Sequence, residues 1–175
     1  MLHEIDGDAS DSELGAALST LSLVSTTVFK VDSGADDHYV APETKMLGVH
    51  PASKEVQTAA AGVTATVESA GTIGGTVQAE DGAVGVELEA QSGPAFGANL
   101  FSVRKAVQAG HTVVFSPDGS FLVGKDGTRV RLRDTRAGWE LHVRQDDTTN
   151  TETGMAFDAG PSTITPEPRG GGGGE

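Results

Sequence analysis

The chain has 175 residues, of which 24 are glycine and none is cysteine, and its formal net charge is −13. This length predicts one domain with additional segments, and a glycine-rich, aromatic-poor composition favours short strands and turns over a helical bundle. The lack of cysteine excludes disulfides, thiolate zinc sites and cysteine nucleophiles. The acidic balance argues against direct nucleic-acid binding, which needs a basic surface.

The first 20 residues are polar and acidic, and we expect residues 1–20 to form a disordered acidic leader. Asp6–Asp11 is similar to the start of a calcium loop. However, Asp11 stands where such a loop needs glycine and Ala17 where it needs glutamate, so a solvated leader is the preferred interpretation. No apolar run approaches the roughly 20 residues of a membrane span, and no signal-peptide pattern opens the chain. We therefore expect a soluble, cytoplasmic protein without a membrane partner.

The first predicted strand leads into a candidate catalytic carboxylate. Leu21–Val31 is rich in Val, Thr and Phe, which predicts a strand. Asp32-Ser33-Gly34 then predicts a tight turn, because glycine tolerates positive φ and the serine hydroxyl can bond nearby backbone groups. A carboxylate held at a strand end in an apolar setting suits general acid–base chemistry. An ordinary turn that contains aspartate is the alternative interpretation.

The next segments predict a short strand followed by a hairpin. His38–Val40 is a short strand that ends before Pro42, and Lys45–Ser53 is predicted to be a connection. Lys54–Glu68 predicts a hairpin with its turn at Gly62, because apolar and polar residues alternate on both sides of this glycine.

The second half of the chain predicts more strands and one helix. Gly71–Val77 and Val84–Glu89 are predicted strands. Phe101–Ala109 is the predicted helix, with Asn99 as its N-cap and Gly110 as its stop. A small meander with tight turns follows, over His111–Phe115, Phe121–Val123, Arg129–Leu132 and Trp139–Val143. From residue 145 to residue 175 the composition predicts a disordered linker or tail.

Two segments resemble one protease family. Val31–Asp37 reads Val-Asp-Ser-Gly-Ala-Asp-Asp and resembles the active-site loop of the retroviral-type (retropepsin-like) aspartic proteases. Ser33 and His38 are closer to the copia-type LTR retrotransposon branch, whereas Asp36 agrees with the retroviral branch. Gly97–Val103 resembles the segment that opens the C-terminal helix of copia-type proteases. The matches together span roughly residues 22–143.

The resemblance implies an all-β, retropepsin-like domain over residues 21–144. This domain would be one half of an acid-protease barrel with one short C-terminal helix, active as a homodimer. Ala95-Phe96-Gly97 would pack beside the active-site loop, and the strand after the helix would contribute to the dimer interface. In such enzymes two carboxylates share one proton across a water molecule. The chain has only one Asp-Ser/Thr-Gly, so the second carboxylate must come from another copy.

The resemblance also implies roles for individual residues. Asp32 would be the catalytic acid and base, with Ser33 and Gly34 holding the two loops together. The hairpin that turns at Gly62 would be the flap that closes over a peptide, and Gly74 offers a competing, less favoured flap tip. The residues implied to bind substrate are Ala35, Asp36 and Asp37 in the loop and Ala60, Ala61, Gly62 and Val63 at the flap.

The predicted function is therefore an aspartic endopeptidase that processes a retrotransposon gag-pol type polyprotein, in the cytoplasm and within virus-like particles. The expected partners are a second copy of the chain and a peptide or polyprotein substrate. We expect no cofactor and no metal, because the isolated histidines show no ligand spacing. The alternative is a catalytically silent, protease-like binding or assembly module from a decayed or domesticated element.

Overall fold

The computed structural model describes residues 24–145 and 155–156 of the chain. The predicted leader with its calcium-loop alternative, and the predicted tail beyond Gln145 apart from Met155–Ala156, lie outside these residues. Strands dominate the described part, with one short helix, so the predicted all-β class is confirmed. The strands are β1 (Ser25–Asp32), β2 (Tyr39–Val40), β3 (Leu47–Gln57), β4 (Thr64–Ala79), β5 (Gly82–Ser92), β6 (Leu100–Ser102), β7 (Thr112–Val114), β8 (Ser120–Val123), β9 (Arg129–Thr135), β10 (Gly138–Gln145) and β11 (Met155–Ala156), and the helix is α1 (Val103–Gln108).

Six strands form a closed ring of paired neighbours, in the order β4, β5, β2, β6, β1, β10 and back to β4. β3 lies antiparallel to β4 as the first arm of a long hairpin. β7, β8 and β9 form an antiparallel meander that joins the ring where β9 pairs with β4 and β10. β11 runs parallel to β5. The side chains that point into this ring form the main core.

The core is built from the alternating inward residues of these strands. Successive side chains on a strand point to opposite faces, so every second residue of β4 from Gly71 to Ala79 is buried. Glycine is required at position 75 because a Cβ there would lie 2.3 Å from the backbone oxygen of Arg144, where β4 and β10 pair. A second, smaller core cluster lies between the hairpin and the loop after β1, with Tyr39 and Val67 among its buried members.

The long hairpin differs in part from its prediction. Lys45–Ser53 is not a connection, because β3 starts at Leu47. The strand signal is absent there because β3 lies at a sheet edge and nearly all its residues are exposed, which removes the alternation that a half-buried strand shows. Gly74 lies within β4, so a flap tip at this glycine is wrong. The turn is at Gly62, as predicted, and its φ is +76°.

The helix is shorter than predicted, and its cap is a different residue. Phe101 belongs to β6, and α1 starts at Val103 with Ser102 as its N-cap, whose Oγ accepts a hydrogen bond from the N–H of Lys105 at 3.0 Å. The prediction of Asn99 as the N-cap is therefore wrong. Gly110 follows the helix with φ +91°, which confirms the predicted stop.

The C-terminal meander is confirmed, because all four of its predicted strands are present as β7 to β10. Within residues 24–145 and 155–156, the structure has no helix long and apolar enough to cross a membrane.

Candidate active site at the end of strand β1

Asp32 is the last residue of β1 and lies beside an inserted strand. β6 pairs in parallel with β1, which brings Ser102 opposite Asp32, and pairs antiparallel with β2 through Leu100 and Tyr39. β1 and β2 are consecutive in the chain, yet β6 lies between them. The loop of residues 33–38 must therefore cross the end of β6 to connect them.

One oxygen of the Asp32 carboxylate is fixed by its own loop. Oδ1 accepts hydrogen bonds from the backbone N–H of Gly34 at 2.7 Å and of Ala35 at 3.3 Å. A Cβ at position 34 would lie only 3.3 Å from this oxygen, so glycine allows the close approach. Among the described residues, no donor bonds Oδ2 of Asp32, and Ser33 beside it is exposed. The carboxylate thus has one anchored oxygen and one available oxygen.

Ser102 ties the loop to both β6 and α1. Its Oγ donates a hydrogen bond to the backbone oxygen of Ala35 at 2.7 Å while it caps the helix. Its backbone N–H donates to Nδ1 of His38 at 2.9 Å, so this imidazole nitrogen carries no proton. Both residues are fully buried, and the His38 ring packs on Phe101 with centroids 4.8 Å apart. Histidine here supports the loop from within the core.

Asp37 is fully engaged on the side of the loop that faces α1. Its carboxylate accepts hydrogen bonds from Nζ of Lys105 at 2.8 Å, Nε2 of Gln91 at 2.5 Å and the backbone N–H of His38 at 2.9 Å. The side chains of Asp37 and Lys105 are each only 16% exposed. Asp37 does not line the cleft described below, so the structure gives it the position of an anchor for the loop.

Asp36 faces the opposite way, toward the long hairpin. The hydroxyl of Tyr39 donates to Asp36 Oδ1 at 2.5 Å, and Nζ of Lys54 on β3 lies 3.5 Å from Oδ2. Partial burial alone would raise the pKa of Asp36, but the Tyr39 hydrogen bond and the positive charge of Lys54 outweigh it, so this pKa is lowered. Burial and the bond to Asp36 raise the pKa of Tyr39. Asp36 is therefore an ionised acceptor at neutral pH.

A cleft of about 610 Å³ lies between the loop, the hairpin and the segment before β6. Phe96 contributes one wall and stacks on Tyr39, with ring centroids 4.6 Å apart, so the segment predicted to pack beside the loop does so. The cleft is lined by residues of all three elements, namely Asp32, Gly34, Ala35, Asp36, Tyr39, Val56, Gln57, Thr58, Ala59, Ala65, Ala95, Phe96, Gly97, Ala98 and Leu100. Its size and mixed lining suit a peptide segment.

The hairpin tip projects beyond the cleft. The backbone N–H of Thr58 bonds the oxygen of Val63 at 3.0 Å, and the N–H of Val63 bonds the oxygen of Ala60 at 3.1 Å, which closes the turn. Residues 60–63 are all exposed, and a Cβ at Gly62 would meet no atom within 4 Å. The arm residues, and not the predicted tip residues Ala60, Ala61, Gly62 and Val63, line the cleft of this single chain.

Sequence reasoning missed several residues that build the site. Ser102, Lys105 and Gln91 hold the loop, and Tyr39 holds Asp36. Ser102 lies inside the second family-like segment and directly before an apolar helical run, so its position was a usable signal for a cap. Gln91 and Lys105 bond Asp37 across more than 50 positions of sequence. Tyr39 bonds Asp36 through a hydroxyl that no local pattern marks.

Within the described ranges, no three His, Asp or Glu side chains come together in a way that could hold a metal ion. No protein-family model matches this chain, and no curated protein sequence is significantly similar to it.

Proposed function

We propose that the chain is an aspartic endopeptidase that acts as a symmetric homodimer and processes a retrotransposon gag-pol type polyprotein. The observation that carries this proposal is the environment of Asp32. Its carboxylate ends a strand, has Oδ1 fixed by two backbone N–H groups and faces a peptide-sized cleft beside a long hairpin. Preorganised carboxylates of this kind are suited to proton transfer at a reacting bond.

A dimer supplies the second carboxylate. The sequence holds one Asp-Ser/Thr-Gly, and a two-fold axis beside Asp32 would bring the same loop of a second copy against it. Exposed Ser33 supports this arrangement, because its hydroxyl is available to bond the other loop. Two carboxylates at about 3 Å cannot both be ionised, so the pair holds one shared proton.

The shared proton defines the chemistry. The ionised carboxylate takes a proton from the bound water as the water oxygen attacks the peptide carbonyl carbon, and the protonated carboxyl donates a hydrogen bond to the carbonyl oxygen. The tetrahedral intermediate then collapses as the amide nitrogen accepts a proton from a carboxyl and the C–N bond breaks. The pair of carboxylates again holds one shared proton, and the substrate forms no covalent bond to the enzyme at any step.

The substrate would lie extended in the cleft between loop and hairpin. We assign Ala35 and ionised Asp36 to its backbone, because both line the cleft and Asp36 is an acceptor for substrate N–H groups. We assign Asp37 to the support of the loop, because its oxygens already accept three hydrogen bonds. The hairpin tip, residues 60–63, would close over the bound peptide.

The test compares the chain with Asp32→Asn on a diverse peptide mixture at mildly acidic pH, with cleavage sites read by mass spectrometry. Asparagine keeps the Oδ1 acceptor and removes the titratable group, so we expect a folded protein in which every cut vanishes. Asp81→Asn, in the exposed β4–β5 turn, is the matched control and should keep full activity. The rate of the unsubstituted chain should also rise faster than linearly with its concentration, as a dimer requires.

The same experiment can contradict the proposal in two ways. Identical cuts by the chain and by Asp32→Asn would assign the activity to a contaminant. No cuts at all by a chain shown to be folded and dimeric would leave the alternative, a catalytically silent protease-like binding or assembly module.

A further inference from the structure

The outer side of the sheet carries a row of cationic residues that the proposed protease function does not use. On β9, Val130 and Leu132 point inward, with 1% and 3% exposure, so the exposed residues that alternate with them all point outward. β10 and β1 continue this outer side. We call this surface the arginine face, and its cationic members are Lys30, Arg129, Arg131, Arg133 and Arg144.

The register places these cations on the same side of the sheet across three strands. Arg133 lies opposite Glu140 on β10, and Glu140 lies opposite Lys30 on β1. Arg144 lies four residues after Glu140 on β10. It points to the same side as Glu140, because the alternate residues Leu141 and Val143 point inward and are buried. The five side chains therefore form one continuous surface and not five separate charges.

Positive charge exceeds negative charge on this surface. Four carboxylates lie on or beside it: Glu80 pairs with Arg129 at 3.4 Å, Glu140 bonds His142 at 2.9 Å, and Asp118 and Asp134 line a cavity together with Arg131 and Arg133. Within the described residues, no carboxylate lies within ion-pair distance of Arg131, Arg133 or Arg144. In a chain whose net charge is −13, a local excess of cations is a property of this face and not of the composition.

The face also has an apolar border beyond β9. The guanidinium of Arg129 lies over the Phe121 ring, 4.1 Å from its centroid, and Val114 on β7 is 40% exposed beside it. A guanidinium group supported by an aromatic ring on the outer side of the sheet is well placed to hold a planar carboxylate in a two-point geometry.

We propose that the arginine face binds an extended, acidic segment of a partner protein. Alternate residues of a strand are about 6.6 Å apart, so arginines at positions 131 and 133 match carboxylates on every second residue of an extended peptide. A polypeptide fits better than a nucleic acid, because Glu80 and Glu140 interrupt the positive surface and the acidic remainder of the chain repels a long, uniform polyanion. The binding does not depend on Asp32.

A cavity of about 500 Å³ adjoins the face and includes Arg131, Arg133 and Trp139 in its lining. Asp118, Asp134 and Glu140 also line it, so the cavity itself does not favour an anion. The proposed contact is therefore the outward row of Arg129, Arg131 and Arg133 on β9, where only the inward Val130 and Leu132 lie between the arginines.

The probe is a labelled decapeptide of alternating Glu and Thr, titrated into the full chain at low salt and followed by fluorescence anisotropy. A peptide of the same composition with its Glu and Thr residues in two blocks tests the spacing. We expect the alternating peptide to bind more tightly, and binding to weaken as salt is raised beyond about 0.1 M, where the Debye length is about 10 Å.

Matched double variants locate the contact. Arg131→Ser with Arg133→Ser should raise the dissociation constant at least about tenfold, since each loses a charge-assisted contact. Arg104→Ser with Lys125→Ser removes the same charge from exposed sites elsewhere and should leave the constant within about twofold. Asp32→Asn should bind as the unsubstituted chain does, which separates this proposal from the protease function.

Four results would overturn the proposal: equal binding by the two peptides, an equal loss in the two double variants, no measurable binding by the folded chain, or tighter binding of a single-stranded oligonucleotide of equal charge than of the alternating peptide. The last result would assign the face to nucleic acid.

Discussion

The loop that carries Asp32 lines the cleft, whereas the tip of the long hairpin projects beyond it, and the two are built in different ways. The loop is tied to the core by buried polar groups: Ser102 bonds Ala35 and His38, and Asp37 bonds Lys105. The tip, residues 60–63, is exposed, and its hydrogen bonds to Thr58 and within the tip close its own turn. One element is held by the rest of the molecule, and the other only by its own arms.

This difference fits the two tasks that we propose for them. A catalytic carboxylate must stay within a fraction of an ångström of its productive position, which requires a support that does not yield. A cover that admits peptides of different sequence must open and close, and segments with few buried contacts open at the lowest free-energy cost. The predictions below test whether the loop and the tip are as unequal as their contacts indicate.

The largest effect is expected for Ser102→Ala. This change removes the cap of α1 and leaves the buried Ala35 oxygen without its donor. Together these losses should lower the free energy of unfolding by about 2–4 kcal/mol. Urea titration followed by fluorescence of the single tryptophan measures it. Ser53→Ala, at an exposed position of β3, is the control and should change the free energy by less than about 0.5 kcal/mol. Equal effects for the two serines would show that the loop is not held through Ser102.

A smaller effect is expected for Asp36, which connects the loop to the hairpin through Lys54. Its pKa is lowered in the folded chain from an ordinary value of 3.8, so its ionised form stabilises the fold above that pH, and this contribution is lost as the pH falls through the folded pKa. Because the Asp36–Lys54 pair is exposed, the contribution is below about 1 kcal/mol.

Paired measurements isolate this contribution from the other carboxylates. The free energies of unfolding of the chain and of Asp36→Asn are compared at pH 6 and again well below pH 3.8, so that the titration of groups common to both cancels. We expect the unsubstituted chain to lose its advantage in the acidic pair of measurements. A constant difference at both pH values would show that Asp36 does not connect the two elements in this way.

The features that sequence could predict are those with local signals. Gly62 and Gly110 mark a turn and a helix stop because their positive φ values favour glycine, and both predictions are confirmed. Asn99 and Ser102 are both good capping residues, but pairing with β1 keeps the chain extended as far as Ser102, so the helix starts later than its own sequence suggests. Tertiary pairing decided between two locally acceptable caps.

The support of the loop could not be predicted for a related reason. Asp37 meets Gln91 and Lys105 from 54 and 68 positions away, and only the insertion of β6 between β1 and β2 brings them together. Nothing in the local pattern distinguishes Asp36, which faces the cleft, from Asp37, which anchors the loop. Adjacent residues of a loop can serve opposite sides, and the fold decides which side each one takes.

The smallest effect on stability is expected at the hairpin tip, where a functional effect should nevertheless appear. Ala61→Asn adds a polar side chain at an exposed turn position and should change the free energy of unfolding by less than about 0.5 kcal/mol. Ala83→Asn, at an exposed position beside the β4–β5 turn, is matched in exposure and chemistry. If the tip closes over substrate, only Ala61→Asn should lower the rate of peptide cleavage, because only that side chain would enter the space between hairpin and peptide. Equal cleavage rates for the two variants would mean that the hairpin borders the cleft without covering it, and the contrast between loop and tip would then reflect stability alone.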